Sequence, residues 1–271
     1  MKNILEYKPV REIIDIATLM YSFGWDESNG GNLSYLLDEE ELVKYLDTSK
    51  IIRTFPLNFD ASPVKGRLFL ITGTGKLFRK VKLEPECALG IFRVAENGLD
   101  GELVWGLNDG GLPTSETYAH LMIHIQRLAV NKNHRVVLHT HPTNIITMTH
   151  THELDEKKFT KSLWSVMTEC IVVFPEGIGL LPWMLSGTYS IAEKTAEKMV
   201  DRRLVIWGLH GIYGAGETVD EAFGLIETVE KAAEIHLKAV SIGNKNFITD
   251  EQLQLIAKHY NRIPRSDYLD V

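Results

Sequence analysis

Three histidines have the spacing and the neighbours of a metal site. His139 and His141 lie one residue apart in RVVLHTH, at the end of an apolar run. Residues i and i+2 of a strand point to the same face, so we expect the two imidazoles to project side by side. His210 closes a second apolar run, LVIWGLH. Three neutral imidazoles that leave a position open are typical of catalytic zinc, whereas the alternative is histidines hydrogen-bonded at strand ends.

Other histidines have less suitable surroundings. His150 and His152 repeat the spacing of the first pair, but they lie near the end of a predicted helix, where residues i and i+2 are about 200° apart around the axis. We therefore interpret them as surface residues. His120 and His124 are spaced i,i+4 on another predicted helix, but no glutamate accompanies them as in a zincin motif, which favours a structural role. Structural roles are also predicted for His134, His236 and His259.

Three short segments have the composition of an anion-binding cradle. The glycines of Asn29-Gly30-Gly31-Asn32 permit positive φ and a close approach of backbone N–H groups. Gly73-Thr74-Gly75-Lys76 follows a predicted strand but lacks the Walker A spacing. Thr114-Ser115 begins a predicted helix and offers hydroxyls with free N–H groups. Each segment alone is an ordinary turn or cap, and it is their occurrence together with the histidines that suggests a phosphate site.

Two carboxylates are candidates for proton transfer. Glu116 is predicted in the first turn of the helix that Thr114 opens, where it either compensates the helix dipole or faces a substrate. Glu169 is predicted at the start of a strand and allows the same two interpretations. The residues alone do not choose between them.

The elements that must position these groups alternate between strands and helices, which predicts helices packed on a central sheet without fixing strand direction. Predicted strands cover residues 67–72, 87–94, 135–141, 170–174, 178–183 and 204–210. Predicted helices cover residues 10–23, 114–128, 159–167 and 191–200, with further helices beginning at Thr143 and after Thr218. Thr218 and Glu221 have the spacing of a capping box, and Gly243 is the predicted end of that last helix.

Composition narrows the classes of protein. The chain has 271 residues, 44% of them hydrophobic, and no linker or repeat, which favours one domain, residues 1–271. Charges interrupt the apolar stretches at the N-terminus, and no run reaches the ~20 apolar residues of a membrane span. A net charge of −7 disfavours nucleic acid and anionic membranes as partners. Only Cys87 and Cys170 occur, which favours a reducing cytoplasm.

Eight ordered segments form a pattern more specific than any single motif. They are GWDESNGGNLSYLLD, FLITGTGKLFRKVKL, LGIFRV, WGLNDGGLPTSETYAHL, RVVLHTHPTNII, TECIVVFPEGIGLLPWM, LVIWGLHGIYGAG and DEAFGLIETVEKAAEI. Together they resemble the class II, zinc-dependent sugar-phosphate aldolases over almost the whole chain. Residues 36–64 and the tail after Gly243 match poorly and support no site assignment.

The resemblance implies an α/β fold with a mainly antiparallel central sheet flanked by helices in three layers. It also implies a ring-shaped homotetramer with active sites at subunit interfaces. The implied metal is one Zn²⁺ per subunit on His139, His141 and His210. Glu116 takes the position of the catalytic carboxylate, and Glu169 that of a second carboxylate contributed by a neighbouring subunit. The implied phosphate-binding residues are Asn29, Gly31, Asn32, Thr74, Gly75, Thr114 and Ser115, with Thr74 where the family is expected to have serine.

The implied reaction is the reversible cleavage of L-rhamnulose 1-phosphate to dihydroxyacetone phosphate and L-lactaldehyde, a step of rhamnose catabolism. Two alternatives stay open. A sister enzyme, such as an L-fuculose-1-phosphate aldolase or a pentulose-5-phosphate 4-epimerase, would use the same metal and phosphate sites. A noncatalytic cytoskeletal module resembling the adducin head would lack the metal-binding histidines, so the presence of all three argues against it.

Overall fold

The computed structural model describes residues 1–243 and 246–270. Within these residues, nine strands form one sheet in the order β2-β5-β4-β3-β1-β6-β9-β8-β7. Every neighbouring pair is antiparallel except β7 and β8, which run parallel. The strands are β1 (Asn32–Leu36), β2 (Arg53–Pro56), β3 (Leu68–Thr72), β4 (Leu89–Val94), β5 (Asp100–Gly106), β6 (Val136–Thr140), β7 (Gly179–Leu181), β8 (Leu204–Trp207) and β9 (Gly211–Gly216).

Helices cover the sheet, and the described ones are too short or too polar to cross a membrane. They are α1 (Lys8–Ser22), α2 (Glu39–Leu42), α3 (Phe78–Val81), α4 (Pro85–Ala88), α5 (Thr117–Val130), α6 (Thr143–Thr151), α7 (Glu156–Trp164), α8 (Thr168–Val173), α9 (Tyr189–Lys198), α10 (Val219–Ser241) and α11 (Asp250–His259). Short 3₁₀ turns span Ile4–Glu6, Ser62–Val64 and Ser266–Tyr268.

Strand β6 lies in the middle of the sheet and is buried on both faces. Val136 and Leu138 belong to the large cluster that α1, α6 and α10 help to form. Val137, which points to the opposite face, packs with residues of α5 and α9. All five residues of β6 are buried, which explains why its sequence is an apolar run and does not alternate with polar residues before His139.

The pairing of β1, β6 and β9 places three functional side chains in one row. Asn32 on β1 pairs with His139 on β6, and His139 pairs in turn with Tyr213 on β9. Residues in register on neighbouring strands point to the same face of a sheet. The row therefore brings an amide, an imidazole and a phenol together without any contribution from loops.

Helices α10 and α5 begin as the sequence predicts, with one shift. Thr218 caps α10 by accepting a hydrogen bond from the backbone N–H of Glu221, which confirms the predicted cap. Gly243 has φ +80° two residues after the helix ends at Ser241. Helix α5 begins at Thr117, so Glu116 is the residue before the first turn and not inside it.

The sequence predictions are wrong in two segments. Residues 170–174 are predicted as a strand, but residues 170–173 belong to the short helix α8, whose Cys170 and Ile171 are buried, and Phe174 is its C-cap. Residues 204–210 form a strand only as far as Trp207, and the GIYGAG segment that follows is strand β9. The β-branched run at residues 170–174 favours a strand, and the glycine-rich run GIYGAG disfavours one. Tertiary packing overrides both local propensities here.

Candidate metal centre and active site

His139, His141 and His210 converge at one edge of the sheet. One nitrogen from each ring lies within 4.8 Å of the other two. His139 is the next-to-last residue of β6, His141 follows that strand, and His210 lies in the turn between β8 and β9, where Leu209 takes φ +62°. The three ring centroids are 4.9–5.1 Å apart. The structure thus brings the three predicted ligands together, although His210 lies in a turn and not at a strand end.

Hydrogen bonds to the outer nitrogens orient two of the rings. Nδ1 of His139 lies 3.1 Å from the carbonyl oxygen of Ile212, which only accepts, so this nitrogen carries the proton. Nδ1 of His141 donates to the carboxylate of Glu27 at 2.8 Å. Both inner nitrogens therefore carry lone pairs, as metal ligands do.

The distance between these inner nitrogens fits a shared cation. Nε2 of His139 and Nε2 of His141 are 3.2 Å apart. A tetrahedral ion with metal–nitrogen distances of about 2.0–2.1 Å holds two ligand nitrogens about 3.3 Å apart. Burial and the neighbouring histidines hold the pKa of His139 well below 6.5, and burial lowers the pKa of His210 to about 4. Neutral imidazoles with facing lone pairs are the donor set of a divalent metal site.

Glycines leave the room that the rings occupy. A Cβ on Gly211 would lie 2.7 Å from the ring of His141 and 3.1 Å from that of His139. A Cβ on Gly30 would lie 2.8 Å from Nδ1 of His141. Gly31 has φ +75° and approaches the backbone of His139. Side chains at these positions would displace the imidazoles, so the glycine loop is packed directly against the metal centre.

Glu116 is held over the row that Asn32, His139 and Tyr213 form. Its Oε2 accepts hydrogen bonds from Nδ2 of Asn32 at 2.8 Å and from the phenol of Tyr213 at 2.7 Å. The same oxygen is 3.6 Å from Nε2 of His139, and the side chain of Glu116 is 8% exposed. Among the described residues, the hydrogen bonds to this carboxylate all go to Oε2. A buried carboxylate next to the histidine cluster is placed to exchange a proton with a molecule bound there.

The segments predicted to bind phosphate are joined by backbone contacts. The N–H of Thr114 donates to Thr72 and the N–H of Thr74 donates to Leu112, which ties the GTG turn to the segment before α5. Gly75 has φ +68° and Ser115 is exposed. The side chain of Asn29 is also exposed, on the glycine loop beside His141.

Two predicted phosphate ligands have their side-chain atoms occupied within the protein. The amide of Asn32 binds Glu116 and His120. Oγ1 of Thr114 accepts from the N–H of Glu116. The phosphate role of the predicted residues stays a prediction.

Glu169 lies apart from the histidine cluster, on a helix that packs against other helices. It is exposed in the first turn of α8, a helix whose main contacts are with α7, α10 and α11. A single chain does not test whether this carboxylate reaches the site of a neighbouring subunit, so its role also stays a prediction.

Sequence reasoning missed two residues of the centre. Tyr213 stacks on His139 with ring centroids 4.3 Å apart and donates to Glu116. It lies in GIYGAG, which looks like a turn, and only the pairing of β9 with β6 reveals its position. Glu27 orients His141 from the loop after α1. Its position just before the Asn29–Asn32 glycine loop is the only sequence feature that points to it, and that position has no fixed spacing to the histidines.

The family model described as "Class II Aldolase and Adducin N-terminal domain" matches residues 11–237. The chain belongs to the class II aldolase and adducin family. Two curated relatives, both named rhamnulose-1-phosphate aldolase, agree with this assignment. One from Listeria monocytogenes serotype 4a (strain HCC23) is 50% identical over 99% of both chains. One from Enterococcus faecalis (strain ATCC 700802 / V583) is 47% identical over 99% of this chain and 96% of its own.

A solved structure also supports membership of the class II aldolase family. The sugar-phosphate aldolase from Thermotoga maritima is 32% identical, with a TM-score of 0.76, over 87% of this chain and 96% of its own. The sheet of nine mostly antiparallel strands with flanking helices is therefore a class II aldolase fold.

Proposed function

We propose that this chain is a metal-dependent aldolase that reversibly cleaves L-rhamnulose 1-phosphate to dihydroxyacetone phosphate and L-lactaldehyde in rhamnose catabolism. The observation that carries the proposal is a buried carboxylate, Glu116, 3.6 Å from a ring of the histidine cluster. Relatives that carry the name of this activity are 47–50% identical over nearly the full length, which supports the choice of substrate.

His139, His141 and His210 would hold the metal, and we propose Zn²⁺, one per subunit. The neutral imidazole donor set and the anchored outer nitrogens of two rings support this choice. When bound, a divalent cation supplies a Lewis acid for the oxygen atoms of the substrate.

Glu116 would move the proton. In the direction of synthesis its carboxylate removes a proton from the hydroxylated carbon of dihydroxyacetone phosphate, and in cleavage it returns one. Asn32 and Tyr213 donate to Oε2 and hold the carboxylate in place. The other oxygen is then available for the carbon that reacts, so the hydrogen bonds orient the base.

The cradle of Asn29, Gly31, Asn32, Thr74, Gly75, Thr114 and Ser115 would bind the phosphate, with Asn32 contributing its backbone because Glu116 and His120 occupy its side-chain amide. The backbone contacts that join the GTG turn to the start of α5 support a common site for the second and third segments. Binding energy from the phosphate, remote from the reacting carbon, would fix the substrate beside Glu116.

The quaternary part of the proposal is a homotetramer in the cytoplasm with active sites at subunit interfaces, each chain acting as one three-layered catalytic domain. The exposure of Glu169 at the start of α8 leaves it available to a neighbouring subunit, where it would act as the second carboxylate. Cys87 and Cys170 are both free thiols, which suits a reducing compartment. Apolar clusters on both faces of the sheet support the three layers.

A cleavage assay on L-rhamnulose 1-phosphate tests the substrate and the metal together. We expect the zinc-loaded protein to release dihydroxyacetone phosphate, chelation to abolish the reaction and zinc to restore it. L-Fuculose 1-phosphate and pentulose 5-phosphates are the matched alternative substrates. Preference for one of them would move the assignment to a sister enzyme, and activity that survives exhaustive chelation would remove the proposed chemistry.

Glu116→Gln tests the base. The variant keeps the shape of the side chain, so we expect normal metal content and a KM near that of the wild type. Turnover should fall by about 10²–10⁴-fold, as general base catalysis is lost. Exchange of the carbon-bound proton of dihydroxyacetone phosphate with deuterated water measures this step directly. Exchange at the wild-type rate would exclude Glu116 as the base.

Mixing two inactive variants tests the interface. If Glu169 is contributed by a neighbouring subunit, hybrids of Glu116→Gln and Glu169→Ala chains contain some sites with both native carboxylates. Unfolding and refolding the two variants together should then restore part of the activity. An absence of recovery, with tetramers present by light scattering, would count against shared sites.

A further inference from the structure

A chain of buried hydrogen bonds runs from Glu116 into the core. Nδ2 of Asn32 donates to Glu116, and Oδ1 of the same amide lies 2.5 Å from Nε2 of His120. Nδ1 of His120 is 2.7 Å from Oγ of Ser34, and this hydroxyl is 2.9 Å from Nε2 of His124. The two histidines are 0% exposed and Ser34 is 1% exposed. We name Asn32, His120, Ser34 and His124 the relay.

The chemistry of the groups gives the relay one direction. The carboxylate of Glu116 attracts the amide N–H₂ of Asn32, so Oδ1 accepts and Nε2 of His120 donates. Burial holds the pKa of His120 well below 6.5 and lowers that of His124 to about 3, so both rings are neutral. Nδ1 of His120 must then accept the hydroxyl proton of Ser34. The oxygen of Ser34 in turn accepts from Nε2 of His124, and every donor points toward Glu116.

The spacing of the relay matches the two elements that carry it. Glu116, His120 and His124 are separated by four residues each and form one stripe along the start and body of α5. Asn32 and Ser34 are separated by two residues and share one face of β1. The helix stripe and the strand stripe meet in register, which accounts for the i,i+4 histidine pair without a metal.

A purely structural contact would not need this chemistry. Buried polar groups cost free energy even when they are paired, and Nδ1 of His124 is buried without a hydrogen-bond partner. Apolar residues of similar volume would fill the same space between α5 and β1. What they would not do is fix the orientation of the Asn32 amide, whose oxygen would repel Glu116 if the amide were turned around.

We propose that His120, Ser34 and His124 are positioning residues that lock the Asn32 amide so that its N–H₂ faces Glu116. This inference rests on the proposed function, in which Glu116 exchanges a proton with the substrate. The relay keeps Oε2 of Glu116 engaged and so presents the other oxygen to the reacting carbon. Its consequence is a high turnover, whereas binding of metal and substrate does not depend on it.

Substitution of His120 tests the relay by kinetics. His120→Leu removes the donor to Asn32, and His120→Gln keeps an amide N–H₂ that can still donate. We expect turnover and proton exchange to fall by about 10–100-fold in His120→Leu and to recover in part in His120→Gln. KM and metal content should stay within about twofold of the wild type in both. Ile123→Val is the matched control because Ile123 is fully buried in α5 and contacts none of the relay groups by hydrogen bonding.

Combining substitutions tests whether the residues act as one unit. His124→Phe removes the last donor of the relay, and its effect passes through Ser34 and His120. The double variant His120→Leu/His124→Phe should therefore be no slower than His120→Leu alone. Additive losses, or a His120→Leu variant that is as active as Ile123→Val, would overturn the proposal.

Nitrogen NMR of the histidine rings gives a readout that is independent of activity. In the wild-type protein we expect His120 and His124 both to carry their proton on Nε2, with the single variants providing the assignments. A proton on Nδ1 of His120 would reverse the direction of the relay and overturn the proposal. A metal-loaded wild type that neither cleaves the substrate nor exchanges its proton would instead refute the proposed function, with the ring protonation unchanged.

Discussion

The chain contains the H-x-H spacing twice, and only one copy has the geometry of a metal site. His139 and His141 project from the end of β6, and their outer nitrogens both donate to oxygen atoms. The inner nitrogens then face each other as lone pairs 3.2 Å apart. His150 and His152 lie at the end of α6, where His150 is exposed and His152 turns away to contact another helix.

His152 of the second pair forms an ordinary hydrogen bond with another helix instead. Nε2 of His152 is 2.7 Å from Nε2 of His236 on α10, and Nδ1 of His236 is buried without a partner. Nε2 of His236 can therefore carry the proton of the hydrogen bond to His152. Spacing alone does not identify a metal ligand. What decides is whether the backbone directs both rings to one point and whether other atoms already hold the outer protons.

The largest expected effect is loss of the metal from the first pair. His139→Ala removes one of three ligands from a buried position, so we expect no bound zinc at micromolar concentration and turnover at background. His150→Ala is the matched control, from the second pair, and should retain one zinc per chain. Metal analysis of the purified variants measures both. Equal metal content in the two variants would break the distinction between the pairs.

The second largest effect is expected when the space beside the rings of His139 and His141 is filled. Gly211→Ala places a methyl group within 3.1 Å of both His139 and His141. Overpacking costs about 1–3 kcal/mol, so zinc affinity should fall by about tenfold to a hundredfold. Gly224→Ala, in open space on α10, is the control and should raise helix stability by up to about 1 kcal/mol without affecting zinc. Competition with a chromogenic chelator measures the affinity, and unchanged binding in Gly211→Ala would contradict the geometry of the centre.

A smaller effect is expected from the carboxylate that orients His141. Glu27→Gln replaces the acceptor of the Nδ1 proton by a weaker one, and the side chain of Glu27 is 72% exposed. We therefore expect about a tenfold loss of zinc affinity, at the low end for such partners. Glu193→Gln, exposed on α9, provides the control. A loss as large as that in His139→Ala would mean that Glu27 is itself a ligand.

The smallest effect concerns pH and His236, the partner of His152. Burial and the nearby His152 lower the pKa of His236 below 6.5, so the unfolded chain binds this proton more readily than the folded one. The stabilising contribution is present above pH 6.5 and is lost as pH falls, by at most about 1.4 kcal/mol per pH unit. In metal-free protein, His236→Phe should flatten the decline in the free energy of unfolding between pH 7.5 and 5.5. Urea titrations measure it, and an unchanged slope would contradict the assignment.

The sequence was sufficient to predict that His139 and His141 lie side by side, because a strand end fixes where both histidines point. The regular apolar spacing of α5 also predicts the helix that carries His120 and His124 and that begins directly after Glu116. The sequence does not predict the relay, because Ser34 and His120 are 86 residues apart and meet only through the packing of β1 on α5. The β-branched side chains of residues 170–174 favour a strand. The packing of α8 against other helices decides the structure instead, and local sequence does not encode that packing.

The row of Asn32, His139 and Tyr213 depends on strand pairing that must be kept, whereas the connecting segments beside it can vary in sequence. Main-chain pairing between adjacent strands sets the spacing of these three groups, and a slip of one residue in any of the three strands would turn that strand's group to the opposite face. The GTG turn and the segment before α5 lie outside that ladder. Directed evolution toward substrates with a different anionic group should therefore succeed by exchanging these connecting segments, while substitutions that loosen the strand pairing should be eliminated in every lineage.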